Sequence, residues 1–193
     1  NAEAFQLGTE RMTEEQLADY QQNRPGTFIT WHFLDENDPD DLALMDASVL
    51  HPNVLVESDA MLWMFENDEG EIENYTGDAW PLPEGTFTHP RSNGTFAKVL
   101  RFYVRERGLL TLQEALRKMT LMPAQRLESI APAMKRKGRV QVGADADHVA
   151  FDPATVVDHA TFEGGLEFST GIRHVLVSGT PGDDGGEQPP KAG

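Results

Sequence analysis

Helical and β-rich segments alternate in the first part of the chain, and this order constrains the fold more than any other feature of the sequence. A capping box predicts a helix over residues 13–22, and an aspartate followed by proline predicts a second helix over residues 38–50. Residues 27–33 are a β-rich run that we predict to be a buried strand, and residues 54–57 are predicted to be another short strand. Because alternating helices and strands are typical of a parallel sheet wrapped by helices, the sequence predicts an α/β fold.

The rest of the chain is predicted to be first a loop, then helical, then β. Residues 60–88 are acidic and aromatic without periodicity, so we predict one long loop. Helical periodicity predicts a helix over residues 94–107, and a second capping box predicts another that begins near Thr111. The remaining predicted elements are a short helix from Pro123, short strands that include Val140, Val142 and residues 148–151, a last strand over residues 172–177, and a disordered tail.

The chain carries far more acid than base. Its 193 residues include 16 Lys and Arg against 32 Asp and Glu, a formal net charge of −16. Such a surface repels phosphate backbones and anionic lipids, so we expect no nucleic acid and no membrane as partners. No apolar run approaches the roughly 20 residues that a transmembrane helix needs, and we expect a cytoplasmic protein. Since the chain has no cysteine, a metal would be bound by His, Asp or Glu.

Three side chains are candidates for chemistry, and each has a simpler alternative. Asp59 follows the predicted strand 54–57. It is either a catalytic group, since α/β proteins carry catalytic groups at the C-terminal ends of their strands, or part of an Asx turn that closes the strand. His32 lies near the end of the predicted strand 27–33. It is a ligand, a general base or a hydrogen-bonded core residue. Arg91 closes the acidic loop, where it binds a substrate carboxylate or pairs with an acid of that loop.

Ordered sequence blocks over most of the chain resemble one enzyme family. The run from His51 to Asp59, which ends in Ser-Asp, is similar to the last barrel strand of the D-aminoacylases, the N-acyl-D-amino-acid deacylases of the amidohydrolase superfamily. Further blocks that follow in the family's order are His89-Pro90-Arg91, Gly94-Thr95-Phe96, Tyr103-Val104-Arg105-Glu106, Arg117-Lys118-Met119-Thr120, Pro123-Ala124-Gln125-Arg126-Leu127 and Gly143-Ala144-Asp145-Ala146-Asp147. With so many blocks in register, the chain resembles the C-terminal portion of this family.

The resemblance implies a fold in three parts. Residues 1–132 would be the last βα units of a (β/α)8 amidohydrolase barrel, with the acidic loop at 60–88. Residues 133–178 would be strands of a small C-terminal β-sandwich domain, and residues 179–193 would be the disordered tail. Two predicted strands of eight cannot close a barrel, so the expected partner is the N-terminal part of the same enzyme.

The resemblance also implies an activity. The family uses zinc to hydrolyse the amide bond of N-acyl-D-amino acids to a carboxylate and a free amino acid, so the implied substrate is a small N-acyl amino acid. Asp59 matches the aspartate that contacts the metal, deprotonates the attacking water and later protonates the leaving amine. Ser58, His89 and Arg91 are implied to bind the substrate, with the arginine on its α-carboxylate.

Departures from the family pattern keep alternatives open. The family's zinc-binding histidines and cysteine lie upstream of the resembling region, and this chain has no cysteine. We therefore expect most zinc ligands in the N-terminal part, and a chain that is incomplete and inactive alone. One alternative is a non-catalytic fragment or assembly subunit that binds a companion chain. Another is a different amidohydrolase of the dihydroorotase or hydantoinase type.

Overall fold

The fold combines short helices with three small sheets. The computed structural model describes residues 1–67, 69–77 and 81–181. The helices are α1 (Glu14–Asn23), α2 (Pro39–Leu50), α3 (Arg91–Lys98), a π-helix (Val99–Glu106), α4 (Leu112–Met119), α5 (Leu121–Leu127) and 3-10 turns at Ala2–Ala4 and Pro132–Arg136. The strands are β1 (Phe5–Leu7), β2 (Glu10–Arg11), β3 (Thr30–Trp31), β4 (Met64–Glu66), β5 (Ile72–Asn74), β6 (His148–Phe151), β7 (Ile172–Val177) and β8 (Thr180–Pro181). Within these ranges, no helix is long and apolar enough to cross a membrane.

Side-chain caps start three helices where the sequence predicts them. The Thr13 hydroxyl accepts from the Gln16 N–H at 3.2 Å, and the Gln16 side chain accepts from the Thr13 N–H at 2.9 Å, which forms the capping box of α1. The Asp38 carboxylate caps α2 by accepting from two backbone N–H groups, and Thr111 forms the second capping box at the start of α4. These predictions are confirmed because a cap depends only on residues that are neighbours in sequence.

All strand pairs are antiparallel, so the predicted parallel sheet is wrong for the described residues. β1 lies between β2 and β3, β4 pairs with β5, and β7 lies between β6 and β8. Residues 54–57 form no strand, because no other segment in the described ranges lies beside them as a β partner. Instead, the Val56 N–H donates to the Lys118 carbonyl at 3.1 Å, so α4 holds this segment.

The predicted buried strand at residues 27–33 is short and exposed. Only Thr30–Trp31 is a strand, and it pairs with β1 at the edge of its sheet. Phe28 is 79% exposed and Trp31 is 60% exposed. The prediction of burial is wrong because an apolar strand is buried only when another segment packs on its face, and within the described residues that cover is incomplete.

The predicted long loop at residues 60–88 contains a hairpin. The Asn67 side-chain oxygen accepts from two backbone N–H groups at 3.0 and 2.9 Å, and Gly70 has a φ of 77°, so together they form the turn between β4 and β5. Met64 and Phe87 exchange both backbone hydrogen bonds, at 2.9 and 2.7 Å. These bonds tie the hairpin to the segment that leads into α3.

One core cluster joins the helices to the C-terminal part of the chain. α3 and the π-helix form one continuous helix over residues 91–106, three residues earlier at its start than predicted. The buried members of the cluster are Val56, Ala97, Val99, Leu100, Tyr103, Leu110, Ala115 and Val156. Because Val156 lies outside the helical region, the C-terminal part packs directly on the helices. The division into residues 1–132 and 133–178 stays a prediction.

The C-terminal sheet contains the predicted last strand. β6 and β7 have the predicted bounds and pair in an antiparallel register. Val140 and Val142 are exposed and lie outside any strand, so the predicted strand there is wrong. β8 pairs with β7, so the predicted tail is ordered at its start, and residues 182–193 lie outside the described residues.

Candidate active site

The chain turns sharply at Asp59. Its φ is 45°, in the left-handed region that aspartate tolerates better than most residues. The Lys118 side chain, which belongs to a residue only 4% exposed, donates to the His51 carbonyl at 2.5 Å and the Val54 carbonyl at 3.1 Å. The buried ammonium therefore fixes the segment from which Asp59 emerges.

The Asp59 side chain pairs with Arg91, the first residue of α3. The Arg91 Nη2 lies 3.0 Å from Asp59 Oδ2, and the Arg91 Nε donates to the Asp59 carbonyl oxygen at 2.6 Å. Arg91 thus pairs with Asp59 rather than with an acid of the predicted loop. The Asp59 side chain is 88% exposed and that of Arg91 35%, so this ion pair contributes little to stability, on the order of 1 kcal/mol or less. A ligand carboxylate can therefore compete for the guanidinium at small cost.

Two hydroxyl groups hold the residues that follow Asp59 against the start of α3. The Ser92 hydroxyl accepts from the Met61 N–H at 3.0 Å, and the Ser92 and Thr88 hydroxyl oxygens are 3.0 Å apart. Thr88 is 5% exposed and also donates weakly to the backbone carbonyls of residues 61 and 62. These contacts fix the Asp59 turn from its C-terminal side, and sequence reasoning did not identify either hydroxyl.

The His89 ring lies beside Arg91 and is uncharged at neutral pH. Its Nδ1 accepts from the Arg91 backbone N–H at 3.1 Å. The pKa of His89 is lowered from 6.5 to about 4, first by burial and then by the neighbouring Arg91 and His32, while the Asp59 carboxylate acts in the opposite direction. The imidazole is therefore a neutral, half-buried group next to the Asp59–Arg91 pair.

A second polar group, distant in sequence, lies across from His89. His32 Nε2 is 2.9 Å from the Gln6 side-chain oxygen, and the Gln6 amide donates to the Phe162 carbonyl at 2.7 Å. The Phe162 ring stands edge-on between the two histidines, with centroid distances of 4.3 Å to His32 and 5.1 Å to His89. Burial lowers the pKa of His32, and the charge of Arg11 lowers it further. The hydrogen-bonded interpretation of His32 thus agrees with its contacts.

These groups line a cavity of about 450 Å3, which we call the Phe162 cavity. It lies between the N-terminal sheet, the segment that leads into α3 and the C-terminal part, and its lining includes Gln6, His32, His89, Arg91 and Phe162. Sequence reasoning missed Gln6 and Phe162 because each acts through a contact with a residue far away in the chain. A buried glutamine in β1 gave no signal that would have found it.

The structure brings together three of the four predicted site residues. Asp59, His89 and Arg91 form one cluster through the contacts described above. Ser58 is half-buried next to Asp59, and among the described residues its hydroxyl makes no hydrogen bond to the other three. The catalytic and binding roles of all four stay predictions.

The described residues do not by themselves fit a zinc ion. Zinc sites in proteins use three or four side-chain ligands within about 2.3 Å of the metal. Over residues 1–67, 69–77 and 81–181, no three His, Asp or Glu side chains form a group that could hold a metal. Asp59 offers one exposed carboxylate, so the other ligands of a metal bound here would come from outside these residues.

Comparison with known proteins identifies the relatives of the chain, although no family model matches it. The N-acyl-D-glutamate deacylase of Alcaligenes xylosoxydans xylosoxydans is 49% identical over 98 residues, 51% of this chain and 19% of that protein. The D-aminoacylase of the same organism is 45% identical over 100 residues, 52% of this chain and 20% of that protein. The chain is a relative of the N-acyl-D-amino-acid deacylases. It spans about a fifth of the length of these curated relatives.

Two solved deacylase structures resemble a larger part of the chain. A D-aminoacylase whose crystal structure defines a novel subset of amidohydrolases matches with a TM-score of 0.54 at 33% identity, over 75% of this chain and 24% of its own. The N-acyl-D-glutamate deacylase of Bordetella bronchiseptica, complexed with zinc and a phosphonate that mimics the tetrahedral intermediate, matches with a TM-score of 0.54 at 34% identity, over 79% of this chain and 26% of its own. The structural relatives are thus amidohydrolases, and this chain shares their mixture of helix and strand.

Proposed function

We propose that the chain is part of a zinc-dependent deacylase that hydrolyses N-acyl-D-amino acids to a carboxylate and a free amino acid. The observation that carries the proposal is the cluster of Asp59, His89 and Arg91, in a chain about half of which is 42–49% identical to three such deacylases. An acid next to a neutral imidazole and a guanidinium can supply the proton transfers and the carboxylate binding that hydrolysis of an N-acyl amino acid uses.

Asp59 is assigned the proton transfers. Its carboxylate is exposed and contacts Arg91, which lines the cavity, so it can accept a proton from the attacking water and deliver it to the leaving amine. Arg91 is assigned the substrate α-carboxylate, because its planar fork binds a carboxylate through two parallel hydrogen bonds. The weak pairing of Arg91 with Asp59 supports this assignment, since substrate can replace one carboxylate by another. Ser58 and His89 are assigned to the wall of the substrate site.

The fold assignment is that residues 1–132 complete a (β/α)8 barrel and residues 133–178 belong to a β-sandwich. Residues 54–57 would be the last barrel strand, and the N-terminal part of the same enzyme would supply its neighbours and the remaining zinc ligands. Two observations support this arrangement: residues 54–57 have no β partner in the described ranges, and Phe28 and Trp31 are exposed. A cytoplasmic location stays part of the proposal.

A non-catalytic assembly subunit is the second candidate function. It is favoured by one observation, the exposure of Phe28 and Trp31, which a companion chain could cover. A full-length protein that binds no zinc and hydrolyses no N-acyl amino acid would support it.

The test is the Asp59→Asn variant of the full-length enzyme. Loss of the general acid–base group lowers kcat by about 100-fold or more, while the zinc content and the circular dichroism spectrum stay at the wild-type values. Glu15→Gln is the control, because it removes an exposed carboxylate of α1. A kcat of Asp59→Asn within threefold of Glu15→Gln would refute the role of Asp59.

A further inference from the structure

The turn that carries Asp59 is held on both sides by contacts with helices. On its N-terminal side, the Val56 N–H donates to the Lys118 carbonyl at 3.1 Å. On its C-terminal side, the Met61 N–H donates to the Ser92 hydroxyl oxygen at 3.0 Å. A non-glycine residue keeps a positive φ only where its surroundings determine it, so these contacts bear on the position of the Asp59 carboxylate.

The Ser92 hydroxyl binds both backbone polar groups of Met61. Its oxygen accepts from the Met61 N–H, and the Met61 carbonyl oxygen lies 3.2 Å away as an acceptor. Thr88 Oγ1 lies 3.0 Å from Ser92 Oγ and 3.3 Å from the Leu62 carbonyl oxygen. Since each hydroxyl has one hydrogen, Ser92 can donate to Met61 while Thr88 donates to Ser92 or Leu62. The two hydroxyls therefore hold residues 61 and 62 through their own backbone.

These hydroxyls lie at the base of the segment that contains the β4–β5 hairpin. The chain leaves the Asp59 turn at Met61 and returns to it at Thr88. Thr88 is 5% exposed, and just beyond it Met64 and Phe87 exchange backbone hydrogen bonds. Because only one residue separates Asp59 from Met61, a displacement of this base moves the Asp59 carboxylate as well.

Ser92 is also the neighbour of Arg91 in the first turn of α3. The Arg91 Nε donates to the Asp59 carbonyl oxygen at 2.6 Å, and the next residue of the helix holds Met61. Two consecutive residues of one helix therefore hold the peptide groups on either side of Ala60. Because a helix is a rigid element, it fixes these contacts more precisely than a loop would.

We infer that Ser92, supported by Thr88, is a positioning residue that sets the place of the Asp59 carboxylate for proton transfer. The inference rests on the proposed function and extends it to a residue that acts only through Asp59. A reacting group that is misplaced by about 1 Å can cost about 100-fold in rate. The contacts of Arg91 and Lys118 remain when the Ser92 hydroxyl is lost, so kcat should fall by less, about tenfold. KM should stay within about twofold of the wild type, because Arg91 belongs to the helix and is not displaced.

Steady-state kinetics of the full-length, zinc-loaded enzyme test this role. The substrate is N-acetyl-D-leucine or N-acetyl-D-glutamate, whichever is hydrolysed faster. Ser92→Ala removes the hydroxyl, whereas Ser92→Thr retains it and should restore kcat to within about threefold of the wild type. Thr88→Val keeps the shape of a side chain that contacts Ser92, so it is a second test should Ser92→Ala not fold, with an expected fall in kcat of about threefold.

Ser169→Ala is the matched control. The Ser169 hydroxyl donates to the Asn93 carbonyl at 2.8 Å, so this half-buried serine also binds the first turn of α3, but not residues 61 and 62. Its loss should leave kcat within about twofold of the wild type. A kcat of Ser92→Ala equal to that of Ser169→Ala would overturn the inference.

A double-mutant cycle shows whether Ser92 acts through Asp59. In the Asp59→Asn variant the carboxylate is already gone, so adding Ser92→Ala should lower kcat by less than about twofold further. An equal loss of about tenfold with and without the Asp59 carboxylate would show that Ser92 acts independently, and it would overturn the inference.

Hydrogen exchange of peptides that cover residues 58–64 separates this inference from the proposed function. The Met61 amide should exchange at least about tenfold faster in Ser92→Ala and at the wild-type rate in Ser169→Ala. If exchange rises although the protein hydrolyses no N-acyl amino acid, the proposed function fails and the hold of Ser92 on this segment stands. If Asp59→Asn abolishes turnover while Ser92→Ala changes neither kcat nor exchange, the proposed function stands and the positioning role of Ser92 fails.

Discussion

Replacing Lys118 by methionine should loosen the segment that carries Asp59. The Lys118 ammonium donates to the carbonyls of His51 and Val54 at 2.5 and 3.1 Å, from a residue only 4% exposed. Burial lowers the pKa of Lys118, which indicates that the charged form is held at a desolvation cost. Methionine keeps the length of the side chain but leaves both carbonyls without their donor.

The magnitude follows from the two hydrogen bonds. A hydrogen bond to a charged donor contributes about 1.5–3 kcal/mol, both of these bonds are partly buried, and removing the ammonium returns part of the cost of losing them. We expect a net loss of about 2–4 kcal/mol in the free energy of unfolding. Because residues 51–56 lead to the Asp59 turn, kcat of the full-length enzyme should fall as well.

Urea unfolding at pH 7 measures the loss of stability. Arg117→Met is the matched control, since it removes a neighbouring exposed cation of α4. It should change the free energy of unfolding by less than about 0.5 kcal/mol. If Lys118→Met were as stable as this control, Lys118 would not fix the segment and the argument for the position of Asp59 would fail.

Two further predictions concern the walls of the Phe162 cavity. Gly165→Ala would place a Cβ 1.9 Å from the Thr88 carbonyl oxygen, so the melting temperature should fall by several degrees. Gly164→Ala is the control, because a Cβ there has room, and this variant should melt like the wild type. Equal melting temperatures for the two variants would contradict the close contact of Gly165 with Thr88. The pKa of His89 is lowered to about 4, so below pH 6.5 the unfolded state takes up a proton that the folded state does not. The free energy of unfolding should therefore fall by at most about 3 kcal/mol between pH 6.5 and 4. In urea unfolding curves, His89→Gln should reduce this dependence on pH. An unchanged pH dependence in the variant would refute the neutral imidazole.

Local signals predicted the starts of three helices but missed the hairpin within residues 60–88. The caps at Thr13, Asp38 and Thr111 were identified because a cap involves residues within one helical turn. The hairpin within residues 60–88 was missed, although Asn67 and Gly70 form a local turn that could have indicated it. Acidic residues around that turn obscured the alternation of its short strands.

The features that the sequence did not predict depend on contacts between residues far apart in the chain. The apolar pattern of residues 27–33 predicted burial, but burial requires a covering segment elsewhere in the chain. Asp59 and Arg91 were candidates from their positions in the sequence, the family resemblance implied their roles and that of His89, and the structure places the three together. Gln6 and Phe162 were not identified, because their hydrogen bond joins residues 156 positions apart.

The central claim is that this chain belongs to a zinc-dependent enzyme that hydrolyses N-acyl-D-amino acids. The most direct measurement is the rate of amine release by the full-length, zinc-loaded protein from N-acetyl-D-leucine, N-acetyl-D-glutamate and their L enantiomers. We expect turnover of a D substrate at least about 100-fold faster than that of its L enantiomer. A zinc-loaded full-length protein that releases no amine from any of the four would contradict the account.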